Sequence, residues 1–252
     1  MTAQTPFVPA SKPEALPIPK RQWGVALSAL RKLLADKDDT GEVFEIMRAL
    51  NGASTRDGYL RLLSTAEGGR IAYERAELAP LLADRAWLAS LPPGSVGAEY
   101  ARFTAAAQIT PQGLVEVSSR VMMEMEHPIA WFGRRTRDAH DLWHVLAGYG
   151  TDSLGEACLV AFSYAQTRSL GWAFIAVGAA LKSRSAPGRH PYARAIFEGY
   201  QRGRRAAWIA GHDYRALLPL PLEDARARLG LTPPRLYQSI PAAARDGAVP
   251  KG

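Results

Sequence analysis

The sequence predicts an all-α fold, and three observations carry that expectation. Apolar residues recur at intervals of three to four along most of the chain. No run of four to eight residues alternates strictly between apolar and polar with β-branched enrichment. The breaks between periodic segments are short and marked by Gly, Pro or a capping residue. With 252 residues, 47% hydrophobic and 22% charged, the chain can close one substantial core. A single multi-helix domain over residues 23–230 is expected, after a Pro-rich disordered arm at 1–22 and before a flexible tail at 231–252.

Each element has its own signal. Trp23, Leu27, Leu30 and Leu34 share a helical face, as do Val43, Ile46, Met47 and Leu50 after a Thr40 cap and before Asn51-Gly52. Tyr59 to Leu63 and Leu78 to Leu88 continue the pattern until Leu91-Pro92-Pro93-Gly94 interrupts it, after which Ser95 caps a helix bearing Val96, Tyr100 and Phe103. A helix over Leu114 to Met125 precedes Pro128, and one long helix is expected from Ile129 to about Ala147, closed by Gly148-Tyr149-Gly150. Further helices follow over Ser153 to Arg168, Trp172 to Leu181 and Tyr192 to Ile209, with a last one ending near Leu229.

Composition removes several classes of function. Cys158 is the only cysteine, which excludes an intramolecular disulfide and the cysteine-rich zinc modules. A metal site must therefore draw on carboxylates and on five histidines, His127, His140, His144, His190 and His212. The formal charge of +7 favours an anionic partner. A recognition helix, an aromatic-basic RNA signature and a Lys/Arg tract are all lacking, so the expected partner is an anionic membrane surface or acidic small molecule and not nucleic acid. The strongly apolar stretch Ser169 to Leu181 is shorter than the roughly 20 residues that span a bilayer, and no secretory leader is evident. A cytoplasmic location, peripheral to the inner face of a membrane, is expected. A homodimer is the default assembly.

The chemistry concentrates at His140-Asp141-Leu142-Trp143-His144. Successive helical residues are about 100° apart, so His140, Asp141 and His144 project to one side, with the two imidazoles one turn apart as in H-E-x-x-H zinc helices. Asp in place of Glu is shorter, which suits a carboxylate that binds the ion or orients its water. If the chain reverses at the glycine corner, Glu156, separated from His144 by eleven residues, returns from the first turn of the next helix as a fourth ligand, and Gly155 leaves room for close backbone approach. Each residue also has a plainer role. Ser153-Leu154-Gly155-Glu156 reads as a capping box, and isolated helix histidines are commonly just hydrogen-bonded. Two other metal readings remain incomplete: an HD-type phosphohydrolase from His140-Asp141, and a di-iron bundle from Glu124-x-x-His127 beside Asp141-x-x-His144.

H-D-x-x-H, eleven residues and a Glu, with Arg137 before it, Gly148 four residues after His144, and Leu154-Gly155-Glu156 at its end, resembles the coenzyme Q (ubiquinone) biosynthesis protein 4 family. Gly69-Arg70-Ile71, Leu91 to Gly97 and Glu99-Tyr100-Ala101-Arg102-Phe103 extend the likeness over about residues 23 to 230. Gly150, where proline is expected, and Ile209 to Tyr214, without the family's Trp-Glu pattern, are departures. The resemblance implies a divalent ion, zinc or else iron or another metal, on His140, Asp141, His144 and Glu156. It also implies decarboxylation, oxidative or not, of a polyprenylated hydroxybenzoate at ring carbon 1. The alternative is a non-catalytic lipid-binding scaffold that organises other ubiquinone biosynthesis enzymes. Leu159 to Leu181, with Phe162, Trp172 and small residues such as Gly171 and Gly178, would line a groove for the lipid tail, with Arg137, Trp143 and Phe162 facing substrate. Arg134 and Arg135 read as a solvated basic face.

Overall fold

The structure, a computed structural model, describes residues 18–35, 40–108 and 127–250. The helix expected over Leu114 to Met125, Glu124 with it, and most of the Pro-rich arm lie outside these residues. Among the described residues there is no strand, only an isolated bridge between Ser95 and Pro221, and the chain forms a single all-α domain.

The first half supplies α1 (Trp23–Ala35), α2 (Thr40–Leu50), α3 (Ser54–Leu63), α4 (Ala66–Glu74), α5 (Leu78–Ala83), α6 (Arg85–Ser90) and α7 (Val96–Ala106). Three of these start on side-chain caps: Thr65, Asp84 and Ser95 accept from the backbone N–H of Gly68, Trp87 and Ala98. Asp84 is why the helix predicted over Leu78 to Leu88 is two, because its carboxylate opens α6 and leaves α5 ended.

The second half holds α8 (Pro128–Asp138), α9 (His140–Ala147), α10 (Ser153–Thr167), α11 (Leu170–Lys182) and α12 (Tyr192–Arg205). Helices α10 and α12 make the largest helix–helix contact in the molecule. Its closeness comes from Gly199 and Gly203, one turn apart. A Cβ at Gly199 would fall 2.4 Å from the Cys158 carbonyl oxygen and one at Gly203 2.6 Å from that of Phe162. Leu142, Leu146, Leu154, Leu159 and Phe162 fill the core around this pair.

The expected small-residue groove is not formed at two of its positions. A Cβ at Gly171 would meet Met47 of α2 and one at Gly178 would meet Leu30 of α1, so this side of α11 is packed against helices.

Residues 231–250 are folded, which corrects the expected flexible tail over the described part of that segment. After α13 (Tyr214–Leu217) and α14 (Leu222–Arg228) come α15 (Arg235–Ser239) and α16 (Ala242–Arg245), with Tyr237, Ile240 and Ala248 buried. Helices of four or five residues have no intrinsic stability. Tertiary contacts hold them, among them Tyr192 donating to the Ala244 carbonyl, Ser153 Oγ donating to the Asp246 carbonyl, and Arg245 over the Tyr237 ring at 4.3 Å.

Candidate metal centre

The long helix predicted over Ile129 to Ala147 is interrupted at Ala139, where φ −77° and ψ −7° give a single turn-like residue between α8 and α9. His140 and Asp141 therefore open α9 and His144 lies in its last turn. Gly148, left-handed at φ 77°, ends the helix, its N–H donating to the His144 carbonyl. The ligand atoms of His140, Asp141 and His144 lie within 4.8 Å of one another, a group that could hold a metal ion.

Glu156 faces this group from α10. Its Oε1 is 3.3 Å from His144 Nε2 and its Oε2 is 3.6 Å from His140 Nε2. The predicted capping box does not form, and that frees Glu156. Asp152 is the N-cap, accepting from Gly155 N–H at 2.9 Å, while Ser153 Oγ turns to Asp246. Gly155 permits the approach of corner to helix, because a Cβ there would sit 2.1 Å from the Gly150 carbonyl oxygen.

His144 is 1% exposed in its side chain, His140 21% and Glu156 44%. Burial disfavours the charged form of both His140 and Glu156, and their mutual contact overrides it. Glu156 hydrogen-bonds His140 and raises it above the ordinary imidazole range, while His144 and His140 hold the Glu156 carboxyl far below the carboxylate range. With 44% of its side chain accessible, Glu156 brings the group into contact with solvent.

The donor set also fits a metal on tautomer grounds. His144 Nδ1 lies 3.3 Å from the Tyr149 carbonyl oxygen, which can only accept, and a proton on Nδ1 satisfies that contact. In that tautomer Nε2 presents a lone pair toward Glu156 Oε1, 3.3 Å away, a pair of donor atoms that could share an ion.

Residues the sequence reading missed complete the surroundings. Phe103 stacks on the His144 ring at 5.3 Å and 25°, and Trp172 on the His140 ring at 5.9 Å and 14°, while the two imidazoles meet edge to face. Two arginines cap α9: Arg226 donates to the Val145 and Leu146 carbonyls and Arg202 to that of Ala147. The ring of Tyr149 lies between Arg202 at 5.0 Å and Tyr237 at 5.3 Å. Apart from the edge contact of the two imidazoles, these contacts join residues far apart in the chain, so no local pattern announces them.

The other predicted residues fall elsewhere. Trp143 and Phe162 are interior, 2% and 0% exposed, and Trp143 Nε1 donates to the Tyr214 hydroxyl. Arg137 pairs with its neighbour Asp138 at 2.7 Å. Arg134 pairs with Glu77. Arg135 is buried and not solvated: its guanidinium lies over Tyr214 at 4.5 Å and donates to the His212 carbonyl. His127 serves as the N-cap of α8, its Nδ1 accepting from Ile129 N–H.

Fold and site together define a helical protein with a His-Asp-His group and a facing glutamate at a glycine corner, a class of candidate metalloproteins without a cysteine ligand. Comparison with known proteins is specific. Residues 42–235 match the family model of coenzyme Q (ubiquinone) biosynthesis protein Coq4. The chain belongs to that family. It is 31% identical over 168 residues to the mitochondrial ubiquinone biosynthesis protein COQ4 homolog of Rattus norvegicus, covering 67% of this chain and 62% of that protein. The Homo sapiens homolog is 31% identical over 177 residues, covering 68% and 63%. The match thus spans less than two thirds of either relative's length. Among solved structures, a candidate ubiquinone biosynthesis protein of Nostoc punctiforme PCC 73102 superposes with a TM-score of 0.62 at 25% identity, covering 84% of this chain and all of that one.

Proposed function

We infer that the protein acts in ubiquinone biosynthesis as a metal-dependent decarboxylase of a polyprenylated hydroxybenzoate, with His140, Asp141, His144 and Glu156 holding one divalent ion, zinc or iron. The observation that carries this reading is the exposure of the Glu156 side chain, 44%, beside a His144 that is 1% exposed. A structural zinc site is closed by protein on all sides, whereas a reactive site keeps one side accessible. A bound divalent ion would supply Lewis-acid polarisation of a substrate oxygen and an anchor for the benzoate carboxylate.

The chain's own residues set what can happen there. With its proton on Nδ1, facing the Tyr149 carbonyl, His144 would offer Nε2 as a donor of electrons. Phe103 and Trp172 lie flat on the two imidazoles, fix their planes and exclude water from those faces. In the reaction, the bond from ring carbon 1 to the carboxyl carbon breaks, carbon dioxide leaves and a proton takes its place. Hydroxylation at the same carbon would instead require oxygen and a redox-active ion.

A second reading, a lipid-bound scaffold for other ubiquinone biosynthesis enzymes, is favoured by exposed Trp23 and Leu27 on α1, Val177 and Leu181 on α11 and Phe197 on α12, on a chain of net charge +7. No described helix is long and apolar enough to cross a membrane, so such attachment would be peripheral. One experiment separates the two. Purified protein loaded with Zn2+ or Fe2+ is incubated with the prenylated acid, and released carbon dioxide is measured. Release by the wild type that His144→Ala abolishes supports the enzyme. Equal release by both, or none by the wild type, overturns it and leaves the scaffold.

A further inference from the structure

Two helices and a corner must keep their relative position to within a few tenths of an ångström if four side chains are to share an ion. The residue that joins these parts is Tyr237, in the folded C-terminal segment and outside the residues matched to the family. Its hydroxyl donates to Asp152 Oδ2 at 2.5 Å and accepts from Gly150 N–H at 3.0 Å. Asp152 is the N-cap of α10, the helix that carries Glu156 four residues on. Gly150 belongs to the corner that follows α9, and its carbonyl oxygen is the atom against which Gly155 packs. The Tyr237 ring also meets Tyr149 edge to face, and the Tyr149 carbonyl fixes the His144 ring.

We propose that Tyr237 is a positioning residue for the metal centre: one hydroxyl clasps the corner after the histidine helix to the cap of the glutamate helix and so sets the His144–Glu156 separation. The clasp is possible because residue 150 is glycine. Proline there would remove the N–H that the hydroxyl accepts, and any Cβ would come 2.8 Å from both the Tyr237 hydroxyl and Asp152 Oδ2. The aligned carboxylate also explains the phenol's chemistry, since burial and the adjacent Asp152 push the Tyr237 hydroxyl up to about 12 and keep it a proton donor.

The proposal rests on the metal reading of the quartet, and the test separates the two. Full-length protein is freed of metal, and Co2+ is titrated while its visible absorption reports affinity and coordination geometry. Tyr237→Phe removes only the hydroxyl, and Gly150→Ala disturbs the same clasp from the opposite side. Thr65→Ala removes the cap of α4 and serves as a control for lost stability. Expected are a 10- to 100-fold weaker Co2+ affinity and an altered spectrum in both clasp variants, with unchanged far-UV circular dichroism, and wild-type affinity and spectrum in Thr65→Ala. The same affinity and spectrum in Tyr237→Phe as in wild type overturns the positioning role, as does weakening in all three variants in proportion to their denaturation midpoints. Failure of the wild type to bind Co2+, or equal binding by His144→Ala, overturns the metal reading itself and the positioning role with it.

Discussion

His144 and Glu156 are separated by eleven residues in sequence, yet their nitrogen and oxygen atoms are 3.3 Å apart, with the other imidazole nitrogen turned to the Tyr149 carbonyl. The ring is thus held at both ends by the protein itself. Four predictions test this arrangement and the parts that support it.

Metal binding should stabilise the fold by an amount that grows with the logarithm of the free metal concentration above the dissociation constant. At a free Zn2+ or Co2+ concentration 100 times the dissociation constant, the gain is about 2.7 kcal/mol. It reads as a rise in melting temperature that a chelator reverses. A His140→Ala/His144→Ala double variant should show no rise, and an equal rise in that variant would place the ion elsewhere.

Arg202→Met should destabilise the protein by about 1–3 kcal/mol, because it strands the buried carbonyl of Ala147 and removes the bonds to the part-buried Thr232 carbonyl. Urea midpoints at fixed slope measure this. A loss under about 0.5 kcal/mol, the size of an ordinary surface change, would show that solvent replaces the guanidinium.

Gly155→Ala should cost about 1–3 kcal/mol and lower metal content together, since the new methyl meets the Gly150 carbonyl oxygen and pushes α10 away from the corner. Metal analysis beside thermal denaturation checks both. Unaltered metal content in a destabilised variant would disconnect the corner from the site.

Asp213 accepts from the first N–H groups of α13 and pairs with Arg70. Burial opposes its charge, but the Arg70 hydrogen bond prevails and holds its carboxyl below the ordinary value. A depressed folded value means stabilisation that is present above the unfolded value of about 3.9 and lost as pH falls through the folded one. Asn can still cap, so Asp213→Asn isolates the charge. The variant should be less stable than the parent at pH 7, with the gap closing as the pH drops below the carboxylate range. A gap of constant size from pH 7 to pH 2 would assign it to the cap instead.

How much of this was legible in the sequence follows from which interactions are local. The i, i+4 spacing of His140 and His144, the left-handed stop at Gly148 and the need for glycine at 155 are dictated within a few residues, and they read correctly. The break at Ala139 and the use of Asp152 in place of Ser153 as cap are also local, but neighbouring positions compete for them and tertiary partners such as Asp246 decide. Arg135 read as surface charge because its acceptor, the His212 carbonyl, is far away in the chain, and the roles of Arg202 and Arg226 were not legible for the same reason, since they donate to carbonyls of α9. The segment after residue 231 looked unstructured because its short helices have no stability outside the contacts of Tyr237 and Ile240 with the core.

The capping of α9 by Arg202 and Arg226, with Tyr237 beyond them, has a temporal consequence. During synthesis the histidines leave the ribosome well before the groups that seat them, and domains close as units once their last element has emerged. The quartet therefore takes its final arrangement only after residue 237 has emerged. A product interrupted ahead of that residue would carry both imidazoles on a helix whose corner lacks the Tyr237 hydrogen bonds.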